Sequence, residues 1–263
     1  MKKLLLLMLC FWLIACSKKD ADNPTPAKEQ TCTLQETAAT TPTGNTNSKY
    51  IYDSAGKIIK VEYYEKGALT RYTTFAYNNK QLIENESIYQ ADGTLTGFNN
   101  YSYDGAGLLI QMNSNQLTNG TMQPGFIYSY EYVSDKQVAK RTIQYPDGRL
   151  YATYTYEYEG EEMRRILTFT PNGQHAQTLT LHYDDKQPAL KNTPALQKIG
   201  FLMIGYPYLH NIVSYSNISS SGQVWGDSYT ATYEYNAAGH PIKSTRTMAN
   251  GSQLVATLTY QCK

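Results

Sequence analysis

Past its first fifteen residues the chain has no apolar run approaching the roughly 20 residues that a membrane-crossing helix needs. It carries four histidines, four cysteines and two tryptophans among 263 residues. His175, His182, His210 and His240 form no HExxH motif and no metal-ligand spacing, and they read as turn or strand histidines on a polar face. No GxSxG elbow, glycine-rich phosphate loop or cysteine with a partnered histidine is present, so the common hydrolases and P-loop enzymes have no signature here. Glu161-Glu162 and Asp184-Asp185 are adjacent acids, but neighbours on a strand point to opposite faces, and both pairs read as solvated turns. The Asp and Asn residues of the turns match no EF-hand or nonapeptide calcium pattern. The expectation is a protein without catalytic residues, metal or cofactor. Charge of one sign is also missing. Loss of Lys2 and Lys3 with a leader leaves 21 basic against 22 acidic residues and no basic stripe, which argues against nucleic acid as a partner.

What the chain does have is tyrosine, 25 in all. The stretch YDSAGKII from Tyr52 returns as YDGAGLLI from Tyr103 and YNAAGHPI from Tyr235. Aligned on this tyrosine, Tyr52, Tyr77, Tyr103, Tyr132, Tyr158, Tyr183, Tyr235 and Tyr260 are separated by 25, 26, 29, 26, 25, 52 and 25 residues. The step of 52 reads as two periods with one anchor missing, so the repeat unit has about 26 residues. Each unit carries two turn signals. One is an Asx-Gly pair suited to a tight hairpin, as at Asp92-Gly93, Asn119-Gly120, Asp147-Gly148, Asn172-Gly173 and Asn250-Gly251. The other opens with an Asx and closes with Gly, as from Asp53 to Gly56, Asp104 to Gly107 and Asn236 to Gly239. Two turns per unit mean two strands per unit. Between the turns residues alternate: Tyr128, Tyr130 and Tyr132 share one face, as do Tyr154, Tyr156 and Tyr158, while Ser129, Glu131, Thr155 and Glu157 point the other way.

This recurring YDxxG unit resembles the tyrosine-aspartate repeats of the Rhs family, and the resemblance covers nearly all of residues 50–263. Individual motifs are degenerate: Tyr77 is followed by Asn78-Asn79, and Tyr132 by Val133. Rhs repeats wind into a large shell around a toxin. About eight units are too few for that, so the resemblance implies the β-meander without the encapsulating role. The predicted fold is therefore all-β, a long antiparallel meander of roughly fourteen to sixteen strands that curls into an open sheet or incomplete barrel, with a propeller or two-layer sandwich as the alternative.

The N-terminus opens with Met1-Lys2-Lys3 and an uncharged run to Ala15, the pattern of an export signal. The end of that run, Leu13, Ile14, Ala15, Cys16, resembles the lipobox of bacterial lipoproteins, which implies cleavage at residue 15 and acylation of Cys16. Ser17, Lys18, Lys19, Asp20 is similar to the short tag of outer-membrane lipoproteins displayed on the cell surface; a periplasm-facing placement is the alternative. Residues 16–47 read as a lipidated flexible tether and 48–263 as the folded domain. Cys10 leaves with the signal, so Cys32 and Cys262 remain as candidates for a structural disulfide in an oxidising compartment, the alternative being two free thiols that bind metal.

The repeat breaks over residues 186–210, where Thr193-Pro194 suits the start of a helical turn and Ile199 to Ile204 is the most apolar stretch outside the signal. This insertion reads as a plug covering one face or end of the sheet, or as the border of a ligand cleft in which Tyr206, Tyr208 and Trp225 stack on sugar rings and His210 or Asp227 makes polar contacts. The function expected is a membrane-anchored, non-catalytic binding or adhesion module for a glycan, matrix or envelope protein. An envelope scaffold is the second expectation and a polysaccharide hydrolase the third.

Overall fold

The computed structural model describes residues 31–41, 44–135, 137–194, 196 and 209–263. The export signal, Cys16, and the candidates Tyr206 and Tyr208 lie outside the described residues. The first eight strands are β1 (Cys32–Thr41), β2 (Gly44–Tyr52), β3 (Ile58–Glu65), β4 (Ala68–Tyr77), β5 (Ile83–Gln90), β6 (Leu95–Tyr103), β7 (Leu109–Thr118) and β8 (Thr121–Ser134). The second eight are β9 (Gln137–Gln144), β10 (Leu150–Glu159), β11 (Glu162–Phe169), β12 (His175–Tyr183), β13 (Ile212–Ser219), β14 (Tyr229–Tyr235), β15 (Pro241–Met248) and β16 (Gln253–Cys262). Each strand pairs antiparallel with its sequence neighbours, and β16 returns to β1, so the meander closes into a barrel. Closure leaves no open sheet edge. The expected meander is present and the incomplete barrel expected from the sequence closes fully, while the open curled sheet, the propeller and the sandwich are corrected to this closed barrel.

Three sequence readings change with it. The tether was expected to reach residue 47, yet Cys32–Thr41 is a strand that pairs with both β2 and β16. Its Thr- and Ala-rich composition resembles a leash locally; one of its two strand partners, β16, is more than two hundred residues away, and only Cys32 and Leu34 are buried. Second, the 52-residue step holds one hairpin, β13–β14, plus an insertion between Tyr183 and Ile212, so the eight tyrosine anchors match eight hairpins and none is missing. Third, His240 was placed on a polar face but is 1% exposed, packed 5.2 Å from the Tyr260 ring, and its imidazole pKa is lowered by burial.

The repeated tyrosine has one structural task. In each hairpin the backbone ladder stops before the first residues of the odd-numbered strand, because a bulge there sets two residues against one on the preceding strand. That leaves a carbonyl without a ladder partner. The tyrosine three residues beyond the last ladder partner reaches back and donates its hydroxyl to it. Tyr52 donates to Leu34 O (2.7 Å), Tyr77 to Ile58 O (2.6 Å), Tyr103 to Ile83 O (2.7 Å) and Tyr132 to Leu109 O (2.8 Å). Tyr158 donates to Val138 O (3.1 Å), Tyr183 to Met163 O (2.7 Å) and Tyr260 to Pro241 O (2.9 Å). In β13–β14 the equivalent donor is Tyr233, to Ile212 O at 2.8 Å, because this pair is slipped by two residues. The motif tyrosine Tyr235 then sits past the ladder and bonds Asp184 at the base of the insertion. All eight anchors lie at one end of the barrel, the tyrosine rim.

Alternation gives the wall two different faces. Ile58, Val61, Ile83, Tyr101, Tyr130, Tyr156, Ile166 and Leu181 are buried in one inward cluster with the anchor tyrosines around them. The opposite face is mostly polar, with cross-strand or same-face ion pairs towards the tyrosine rim: Lys60 with Glu62 (2.7 Å), Lys140 with Glu131 (2.8 Å), Arg165 with Glu157 (2.8 Å) and Lys243 with Glu234 (2.7 Å). A circular barrel of sixteen strands spaced by about 4.8 Å and tilted by about 40° has a radius of roughly 16 Å, more than twice the reach of a tyrosine. The lumen therefore needs more than one layer of side chains to fill it.

Candidate functional site

At the tyrosine rim the insertion supplies that extra layer. Its base is clamped where Asp184 and Asn211 meet: Asp184 N–H donates to Asn211 O (3.0 Å), and Asn211 N–H to Asp184 Oδ1 (3.1 Å). Asn211, 7% exposed, adds side-chain bonds to the carbonyls of Lys186 and Gln187. From this base the chain crosses the mouth to strands on the far side. Asn192 Nδ2 donates to Cys32 O (2.8 Å), Thr193 Oγ1 lies 3.3 Å from the Tyr52 hydroxyl, and Leu196 is buried. The helical turn expected from Thr193-Pro194 begins at Pro194. Between Asn192–Pro194 and the rim residues Ile58, Tyr77, Ile83 and Tyr103 lies an apolar cleft of about 320 Å³.

His210 belongs to this rim. Its Nδ1 is 2.7 Å from Glu162 Oε1, and burial raises the Glu162 pKa while the histidine bond opposes the shift. Glu162, expected in a solvated turn, is instead largely covered and ties the insertion to β11. Asp184 is corrected in the same way, because it receives bonds from Asn211, Lys186 N–H and Tyr235.

Trp225 and Asp227 sit at the other end, in the loop between β13 and β14. Eight strand residues, about 26 Å of extended chain, separate them from His210. The single cleft expected from the sequence is therefore not formed by the described candidates, which divide between two rims. Trp225 is half exposed, and its backbone N–H donates to Asn217 O (2.8 Å). Asp227 accepts bonds from Asn217 Nδ2 (3.1 Å to Oδ2) and the Tyr215 hydroxyl (3.3 Å). Behind it a cavity of about 400 Å³ is lined by Ile212, Tyr215, Tyr229, Arg246, Met248 and Leu254. Tyr215 and Tyr229 stack with centroids 5.3 Å apart and planes 4° from parallel, and the Arg246 guanidinium lies 4.9 Å from the Tyr229 centroid. Burial raises the pKa of both tyrosines; Asp227 adds to the rise at Tyr215, and Arg246 opposes it at Tyr229.

This second site has the composition of a recognition pocket: aromatic walls, one carboxylate, one guanidinium, and a volume in the range of small-ligand sites. Tyr215, Tyr229 and Arg246 were not singled out from the sequence. Their signal was the alternation that puts all three on the inward face, which the two-residue slip of β13–β14 obscured. Among the described residues no group of three or more His, Cys, Asp or Glu side chains could hold a metal ion.

Cys32 and Cys262 face each other across the closing strand pair and are joined by a disulfide, Cα atoms 4.0 Å apart.

No protein-family model and no curated protein matches the chain, so the likeness to Rhs repeats stands as a resemblance. Among solved structures, a porin-like protein from Bacteroides uniformis superposes over 90% of this chain and 99% of its own, with a TM-score of 0.58 and 17% identity. A porin-like protein from Bacteroides vulgatus covers 88% of this chain and 99% of its own, with a TM-score of 0.57 and 14% identity. At these identities what is shared is the fold: a single antiparallel β-barrel of this size and form.

Proposed function

We propose that the chain is a non-catalytic binding barrel held at the bacterial envelope by lipid on Cys16, with its wall in water and its ligand taken at the rim that carries Trp225 and Asp227. The observation that carries this reading is the polarity of the wall. A barrel that crosses an outer membrane presents an outward apolar band about 25 Å tall, and a charge placed at its midplane costs about 2–4 kcal/mol. Here the outward face carries Lys60, Glu62, Glu131, Lys140, Glu157, Arg165, Glu234 and Lys243 in strands around the barrel, while the buried apolar cluster points inward. Membrane attachment then falls to the N-terminal lipid. The porin-like form fits an envelope protein, and the polar wall separates this one from a pore.

Ligand entry at the Trp225 rim follows from the insertion, which occupies the other end. The chemistry of Tyr215, Asp227, Tyr229 and Arg246 suits a sugar or another small polar molecule with a flat apolar side. Once the signal is removed Trp225 is the sole tryptophan, so its fluorescence reports directly on this rim. Titration of the mature protein with a panel of neutral and acidic oligosaccharides should change the emission, and Asp227→Asn should weaken the response tenfold or more. A panel that leaves the emission unchanged would remove the glycan reading. Attachment and placement are tested in cells. Labelled palmitate should enter the wild type and not Cys16→Ser, and protease added to intact cells should remove the barrel if it faces outward. A barrel that survives until the outer membrane is broken places the protein on the periplasmic face, where the scaffold reading takes over.

A further inference from the structure

We propose that the ligand taken at the Trp225 rim is a zwitterion, a short extended peptide whose free ammonium rests on Asp227 and whose carboxylate reaches Arg246 inside the barrel. This rests on the reading above for the place of binding and goes beyond it in naming what binds.

The space behind Asp227 does not end at Arg246. A second cavity of about 250 Å³, bounded by Leu190, His210, Tyr233 and Leu258, shares Ile212, Tyr229 and Arg246 with the cavity of about 400 Å³. The two run together along the inner face of β13–β16, from the open rim towards the insertion, and Arg246 stands where they join. On β15 it pairs with Ala231, between the levels of Tyr229 and Tyr233. Burial raises the pKa of both tyrosines, and Arg246 is the largest opposing influence on each. Two other inward arginines, Arg71 and Arg141, also lie over tyrosine rings, those of Tyr63 and Tyr154. Arg141 is 3% exposed, whereas Arg246 is exposed and lines both cavities.

The cavity thus holds two opposite charges that do not meet. Among the described residues neither Asp227 nor Arg246 is in an ion pair. Four residues of extended chain, about 13 Å, separate Asp227 from Ala231, the strand partner of Arg246. The Asp227 carboxylate leans towards Tyr215, the partner of Tyr229, which brings the gap to between about 7 and 13 Å. Beside that carboxylate Asn217, 5% exposed, gives its Nδ2 to Asp227 and leaves Oδ1 without a partner. A carboxylate next to an unpaired carbonyl oxygen calls for a group rich in donors, and an ammonium has three. A guanidinium has donors only, and its fork matches a carboxylate. Between these seats the stacked Tyr215 and Tyr229 rings form an uncharged wall. A neutral sugar leaves both charges unanswered, and a single amino acid, with both its charges on one carbon, is too short. At about 3.3 Å per residue, a peptide of three or four residues spans the gap.

The test uses the full mature chain in calorimetric titrations with trialanine and tetra-alanine, each also in N-acetylated and in C-amidated form. The free peptides should bind saturably, alanine itself at least tenfold more weakly, and either block should cost tenfold or more. Asp227→Asn should bind the free and the acetylated peptide alike, and Arg246→Gln the free and the amidated peptide alike. Both positions are exposed, so the variants should keep the circular dichroism melt of the wild type; if one does not, the blocked peptides on the wild type decide. No binding of the free peptides, or equal binding of a free peptide and either blocked form by the wild type, would overturn the proposal. Oligosaccharide binding without peptide binding removes this inference and leaves the rim reading standing. Peptide binding without an oligosaccharide response keeps the site and drops its glycan arm.

Discussion

Replacing Tyr103 with phenylalanine removes one oxygen atom and tests why the repeat keeps a tyrosine. The hydroxyl donates to Ile83 O at 2.7 Å, and the β5–β6 ladder begins only at Asn85 and Asn100, so this carbonyl has no rung on the β6 side. The ring itself packs on the inward cluster, and phenylalanine fills the same volume. The expected loss is that of a buried acceptor left short of its donor, about 1–3 kcal/mol. In a barrel of this size that lowers the melting temperature by roughly 2–12 °C, at about 2–4 °C per kcal/mol. Denaturant unfolding followed by far-ultraviolet circular dichroism should show the same loss at an unchanged slope. Tyr72→Phe on the outer face is the control: Tyr72 stacks on Tyr89 at 4.9 Å and beneath Lys60, contacts that phenylalanine largely keeps. If Tyr103→Phe costs no more than that control, the tyrosine is conformational filler and the capping argument fails. Adjacent anchors are two strands apart, so Tyr77→Phe combined with Tyr103→Phe should lose close to the sum of the two single losses.

Two further outcomes follow from the same wall. Most of the inward tyrosines have pKa values raised by burial, Tyr50, Tyr77 and Tyr233 to about 12 against 10 when unfolded. The folded state then holds more protons than the unfolded state above pH 10, so stability is fully present below pH 10 and falls as pH rises towards 12 and beyond. Absorbance at 295 nm and circular dichroism should change together in one steep alkaline transition; a tyrosine titration centred at 10 that precedes unfolding would contradict the burial. Reducing the Cys32–Cys262 bond, or replacing both residues with serine, opens a link spanning 230 residues and should cost up to about 5 kcal/mol. The barrel should still close, because the β1–β16 ladder continues from Thr33 to Thr40; a reduced protein that loses its β-sheet signal in buffer would show that closure depends on the disulfide.

The strand count and the inward face were legible because both are local. Tyrosine spacing marks the hairpins, and period-two alternation puts Tyr128, Tyr130, Tyr154 and Tyr156 on one side, where the structure has them. Closure was not legible, since it depends on β1 meeting β16, and neither strand advertises a partner at the other end of the chain. The divided site has a similar cause. Trp225 and Asp227 lie close to His210 along the chain, but one strand carries the backbone from rim to rim between them. Arg141 escaped notice because a single arginine in a strand reads as an outward residue; its inward position follows from the bulge between Glu131 and Tyr132, which shifts the parity of the alternation.

The slip between β13 and β14 makes that part of the wall its weakest seam. The two strands share only the pairs Ser214 with Thr230 and Tyr215 with Tyr229, whereas every other neighbouring pair shares at least five. Side chains partly replace the missing rungs: Asn217 N–H donates to Ser228 Oγ at 2.9 Å, and the stacked Tyr215 and Tyr229 rings span the gap. Local opening should therefore require less free energy here than elsewhere in the barrel. In hydrogen exchange followed by mass spectrometry, peptides covering 214–219 and 229–235 should exchange earlier than those covering β6 and β7, and Ser228→Ala should advance the first of them further. Because this seam borders the cavity of Tyr215, Asp227, Tyr229 and Arg246, a ligand seated there bridges both strands and should slow exchange across the seam selectively. Uniform exchange around the barrel would mean that the side chains fully compensate for the slip, and the pocket would then have to admit its ligand through the rim alone.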